Sequence, residues 1–140
     1  MVRLFQRPSS LLSKDMFTLC VLREFSAQHY LIGGDRGAEN LPHAHEYRLE
    51  LRLQGERLNE HGFLLDIVEI EAQLDREVGS YQDDLLNELP AFADHNPSLE
   101  NFSQILCLSL AKPMDSDKLS SIEIRLWENK NAWASYRLDF

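Results

Sequence analysis

The chain reads as an α+β protein whose elements run strand, strand, helix, helix, strand, strand. Three observations carry that reading. Apolar residues recur at period two from Phe17 to His29 and again from His43 to Leu53. They recur at helical spacing from Ile67 and from Leu99, and period two returns at Ile122. Strands are thus segregated from helices, and an antiparallel sheet with helices on one side is the architecture that follows.

In the first strand the odd positions Phe17, Leu19, Val21, Arg23, Phe25, Ala27 and His29 form one mostly apolar face. The second is cleaner: His43, His45, Tyr47, Leu49, Leu51 and Leu53 alternate with Ala44, Glu46, Arg48, Glu50, Arg52 and Gln54 until Gly55 ends the run. Asp66 opens a helix with Ile67, Ile70, Leu74 and Val78 on one side, and Gly79 stops it. A second helix follows Asn96-Pro97-Ser98, with Pro97 near its cap and Glu100 in its first turn. Leu99, Phe102, Ile105, Leu106 and Leu110 give it an apolar stripe, and Pro113 ends it. Ile122, Ile124 and Leu126 then alternate with Ser121, Glu123 and Arg125. The turn Glu128-Asn129-Lys130-Asn131 leads into a last strand from Ala132 to Phe140.

At 140 residues, 44% hydrophobic and 26% charged, the chain is one globular domain with enough residues for a core. Its net charge of -9 argues against nucleic acid or an anionic membrane as the main partner, since both select basic surfaces. No apolar run approaches the roughly 20 residues of a membrane span. Cys20 and Cys107 sit among apolar neighbours, which predicts two buried, reduced thiols and a cytoplasmic protein. The first 15 residues differ in character: Arg3, Arg7 and Lys14 accompany Pro8, Ser9, Ser10 and Ser13. They read as an N-terminal extension before a domain over 16–140, too short and too broken for a secretory signal. Met16 as the true start, and a transit peptide, stay open beside that reading.

Three histidines concentrate the chemistry. Alternate residues of a strand share a face, so His43 and His45 project together from the end of a leucine-rich face. If the first two strands pair across the Gly33-Gly34 loop, His29 arrives beside them. Imidazole is the commonest protein ligand for zinc, and three histidines leave a position open for water or substrate. A four-stranded sheet covered on one side also leaves edges exposed, which predicts a homo-oligomer closing a larger barrel.

In that order, several short motifs resemble the 6-pyruvoyltetrahydropterin synthase family, including the 6-carboxytetrahydropterin synthases of queuosine biosynthesis. They are Phe25-Ser26-Ala27-Gln28-His29, His43-Ala44-His45-Glu46-Tyr47, Asp66, Leu86-Asn87, Asn96-Pro97-Ser98-Leu99-Glu100 and Trp127-Glu128. The resemblance spans Met16 to Phe140. It implies a tunnelling fold (T-fold) whose trimers close a β-barrel and stack as hexamers. It also implies zinc on His29, His43 and His45, and 7,8-dihydroneopterin triphosphate as substrate. Glu128 then takes the family's ring-anchoring role, accepting the two parallel donors of a pterin edge.

The sequence departs from the family pattern in two places, one of them a pair of residues. The usual base is a cysteine four residues before the first histidine of the pair; here that position is Glu39. A subgroup with glutamate there is linked to folate synthesis and releases a 6-hydroxymethyl pterin. A glutamate acts as a base where burial or a neighbouring charge raises its pKa. The usual Asp-His pair is absent as well: alignment on Leu86-Asn87 puts Gln82 and Asp83 there, leaving Asp83 to take up a proton. For the triphosphate, Arg36 and Lys130 are the candidate cations. A zinc-dependent pterin lyase with altered catalytic residues Glu39 and Asp83 is therefore expected. A non-catalytic pterin- or purine-binding protein, and a structural zinc oligomer, are the competing readings.

Overall fold

The computed structural model describes residues 15–140. Apart from Asp15, the N-terminal extension lies outside the described residues. The strands β1 (Phe17–His29), β2 (His43–Gly55), β3 (Ser121–Asn129) and β4 (Ala132–Asp139) form one antiparallel sheet in the order β1-β2-β3-β4. Helices α1 (Ile67–Gly79) and α2 (Leu99–Ala111) cover a single face, α1 against β1 and α2 against β3 and β4. The α+β order read from the sequence is the observed one. Among the described residues no helix is long and apolar enough to cross a membrane.

The helix-covered face is built by the alternation itself. Leu49, Leu51 and Leu53 of β2 and Ile122, Ile124 and Leu126 of β3 are all fully buried against Leu74, Phe102, Leu106 and Leu110. Removing each such side chain from water contributes roughly 1.5–3 kcal/mol. Arg23 is the one charge in the apolar row of β1, and α1 accounts for it. Its guanidinium donates to Asp75 at 2.6 Å and Glu71 at 2.8 Å. Both helix starts are capped as their sequences predict: Asp66 accepts from the Val68 N–H and Ser98 from the Asn101 N–H.

Two expectations change. Cys107 is buried under β3, where lack of hydration pushes its thiol up to about 11. Cys20 is exposed, because even-numbered residues of β1 point to the helix-free face. An apolar neighbourhood in sequence cannot tell the two faces of a strand apart. The expected Glu128–Asn131 turn is also shorter than read, since β3 runs on to Asn129. Trp127 pairs with Trp133 and Asn129 with Ala132, which leaves Glu128 as the extra residue of a β-bulge.

Candidate metal centre and adjoining cleft

The antiparallel register of β1 and β2 sets His29 opposite His43 and Ala27 opposite His45. The three rings meet with centroids 4.5, 4.9 and 4.9 Å apart, at interplanar angles between 71° and 90°. Potential ligand atoms of His29, His43, His45 and Glu39 all lie within 4.8 Å of one another. Glu39 comes from the 3-10 turn Gly37–Asn40, and its carboxylate stands 3.1 Å from His43 Nε2. Of the residues singled out from the sequence, these four converge, and Glu128 joins them at 3.8 Å from His45 Nε2.

Backbone carbonyls orient the rings. His29 Nδ1 lies 2.8 Å from the Pro97 carbonyl and His43 Nδ1 lies 2.8 Å from the Leu41 carbonyl. A carbonyl only accepts, so each Nδ1 carries the proton and each Nε2 of a neutral ring presents a lone pair. Those two Nε2 atoms face each other at 2.9 Å. Two lone pairs at that distance repel unless a proton or a cation lies between them. His45 Nε2 is buried beside them with no hydrogen-bond partner. Burial lowers the His29 pKa, outweighing the hydrogen bond to Pro97, and so favours the neutral, ligating form. The donor set therefore fits a borderline-soft divalent cation such as zinc.

The segment after His29 is held by asparagine side chains rather than by a strand. Asn87 bonds both the N–H and the carbonyl of Tyr30, and Asn96 does the same for Ile32. On the other side Leu31 donates to the Glu39 carbonyl at 2.7 Å and accepts from Asn40. This is how Glu39, ten residues from His29 in sequence, is carried back to it. In the sequence, Asn87 and Asn96 belong to family-like motifs that leave their side chains without a role. The structure gives one: amide side chains that close both hydrogen bonds of a backbone unit.

Tyr47 is a functional neighbour to which the sequence reading gave no role. Its buried hydroxyl lies 3.3 Å from His29 Nδ1, and burial, then the Glu128 charge, raises its pKa. Period two alone could have found it, two residues beyond His45 on the same face. Asp83 sits apart from the four donors. Its backbone has φ 62° and donates to the Ser26 carbonyl at the free edge of β1, while its exposed carboxylate accepts from Gln82. His61 and His95 are exposed loop residues.

Where β3 leaves β2, beyond the Arg48–Trp127 pair, a cleft of about 700 Å³ opens. His45, Tyr47 and Glu128 line it together with Arg48, Trp127 and Lys130. The bulge is what turns Glu128 toward His45.

A four-stranded antiparallel sheet, two helices on one face and a three-histidine centre at one end define the class. The family model for 6-pyruvoyl tetrahydropterin synthase matches residues 18–139, and the chain belongs to that family. Its strand-strand-helix-helix-strand-strand order is the T-fold. Solved structures agree on the fold. The 6-pyruvoyl tetrahydropterin synthase of Caenorhabditis elegans superposes with a TM-score of 0.78 at 19% identity, covering 92% of this chain and 100% of its own. That of Plasmodium vivax gives 0.76 at 15% identity, covering 90% and 99%. That of Plasmodium falciparum gives 0.73 at 15%, covering 89% and 99%. A P. vivax variant altered at a glutamate described as its catalytic residue also matches, with a TM-score of 0.73 at 14% identity, covering 90% of this chain and 99% of its own. Among curated protein sequences none matches.

Proposed function

We propose that the chain is a zinc-dependent pterin lyase acting on the side chain of 7,8-dihydroneopterin triphosphate. The observation that carries this is the convergence of His29, Glu39, His43 and His45 within 4.8 Å beside a cleft containing Glu128. Held by the Nε2 atoms of His29, His43 and His45, zinc would supply Lewis acidity toward the side-chain hydroxyls of the ligand. Glu128 accepts the parallel donors of the pterin edge and fixes the ring. Glu39, anchored through its own carbonyl to Leu31, holds a carboxylate at the side-chain end and acts as general base. Asp83, at the same end of β1, is the second proton acceptor. A glutamate in the base position supports cleavage to a 6-hydroxymethyl pterin, as in folate-type chemistry, over loss of triphosphate. The outer edges of β4 and of β1 ahead of Ser26, to which no further strand is paired, support assembly into trimers or stacked hexamers in the cytoplasm.

The test is to incubate zinc-loaded protein with this substrate and identify the pterin formed. Product above a metal-free control supports the lyase, and none refutes it. One observation favours a second reading, a pterin-binding protein without turnover: the Asp-His position holds Gln82 and an exposed Asp83 bonded to it. That reading predicts tight pterin binding with no product, and Glu39→Gln that leaves the binding intact.

A further inference from the structure

Three histidines alone leave a fourth position open on a tetrahedral cation. A carboxylate is turned toward that position. His43 Nε2 is where the donors meet: His29 Nε2 lies 2.9 Å from it and a Glu39 carboxylate oxygen 3.1 Å. With its Nδ1 proton given to the Leu41 carbonyl, the neutral His43 ring offers only a lone pair at Nε2. An ionised carboxylate also only accepts. Three acceptors are thus gathered at one point, and His45 Nε2 completes a set of four within 4.8 Å. Donors around one tetrahedral zinc stand about 3.4 Å apart, from metal–donor lengths of roughly 2.0–2.2 Å. The separations here bracket that value.

Nothing forces the Glu39 carboxylate inward. Its side chain is exposed and could turn to water. The backbone that carries it is pinned instead. The Glu39 N–H donates to the Arg36 carbonyl at 3.2 Å, and its carbonyl accepts from Leu31 at 2.7 Å. The neighbouring Asn40 side chain bonds the Arg36 N–H and the Leu31 carbonyl. The turn is thereby tied to the segment leaving His29, and a short, fixed frame of this kind is what a metal ligand requires.

We propose that Glu39 is the fourth ligand of the metal centre whenever no organic ligand is bound, so that three histidines and one carboxylate close the resting site. Its displacement by the oxygens of a pterin side chain rests on the function proposed above; the fourth ligand itself rests on the four converging donors. The two roles of Glu39 then follow one another. Against a divalent cation a carboxylate is a weak base, because the positive charge favours its ionised form. Displaced, it regains basicity beside the hydroxyls that displaced it. Proton acceptance is in this way tied to the arrival of the ligand.

Metal binding tests the fourth ligand without any pterin. Zinc affinity, read by competition with a chromophoric chelator, should fall about tenfold in Glu39→Gln. Cobalt(II), which accepts the same donors, reports its ligand set through visible absorption bands. The bands of Glu39→Ala should differ from wild type, and added acetate should restore them. Zinc affinity within twofold of wild type in Glu39→Gln overturns the fourth ligand. So do cobalt bands that Glu39→Ala leaves unchanged, or altered bands that acetate does not move. A second arm adds 7,8-dihydroneopterin to both cobalt proteins. Their bands should converge, since the same oxygens then complete both sites. Bands that move but stay apart overturn the displacement. Bands that acetate restores and 7,8-dihydroneopterin leaves unmoved support the fourth ligand and refute the pterin reading instead.

Discussion

The two ends of the sheet are opposites. At the end holding Phe17, Gly55, Ser121 and Asp139 all four strands stay in register. Gly55 is packed so closely there that a Cβ would lie 2.6 Å from the Leu64 side chain and 2.7 Å from the Lys118 carbonyl. At the other end β3 parts from β2 after Trp127, His29 and His43 present facing lone pairs, and His45 Nε2 lacks a hydrogen-bond partner. One end satisfies its groups internally and the other leaves them for something else. Polar groups left unmatched beside a well-packed core are costly to folding and are expected where a ligand completes them.

The largest expected effect tests whether the ends are separable. His43→Ala should weaken zinc binding by more than about a hundredfold, measured by competition with a chromophoric chelator. The stability of the metal-free protein should be unchanged or raised, because the 2.9 Å contact between Nε2 atoms is removed. A large loss of metal-free stability would show that the histidine end also holds the fold together.

The converse substitution is Leu51→Ala, at a fully buried position in the paired half of β2. It should cost about 2–5 kcal/mol in denaturant unfolding, while the folded fraction keeps its zinc stoichiometry. Gly55→Ala comes next. The added methyl meets backbone at Lys118 as well as the Leu64 side chain, so a loss of roughly 1–3 kcal/mol is expected. A neutral result would mean that the 58–65 loop yields easily and that the paired end is looser than its contacts indicate.

Arg23→Ala should have the smallest effect, since its ion pairs with Asp75 and Glu71 are largely solvated. Its signature is in the pH dependence. The hydrogen bond from Arg23 holds the Asp75 pKa below the usual carboxylate value of 3.8. A depressed carboxyl contributes stability that is present above pH 3.8 and lost as the pH falls through the folded-state value. Acid unfolding of the variant should therefore lose part of its steepness below pH 3.8, with little change near neutrality. Equal acid limbs in both proteins would mean that the pair contributes nothing.

Much of this molecule was written locally. Strand alternation fixed which residues of β2 face the helices, and so made His43 and His45 neighbours before any fold was known. Asp66, Ser98 and Gly79 marked helix ends because caps and stops are chemistry of one or two residues. The face of Cys20 was misread because apolar neighbours on a strand lie on both faces.

Contacts distant along the chain and small departures from regularity required the tertiary structure. Asn87 and Asn96 reach residues 57 and 64 positions away, and an asparagine gives no sign in sequence of which backbone it will bond. Glu39 is drawn to the histidines through Leu31, and Glu128 is aimed at His45 by a single-residue bulge that periodicity reads as a turn. The sequence by itself determined the α+β order, the leucine-lined face and the pairing of two histidines, because each follows from a repeat of two or about 3.6 residues. The tertiary structure alone decided the third histidine's tautomer, the approach of Glu39 and the cleft beside Glu128, because each depends on where separate segments meet in space.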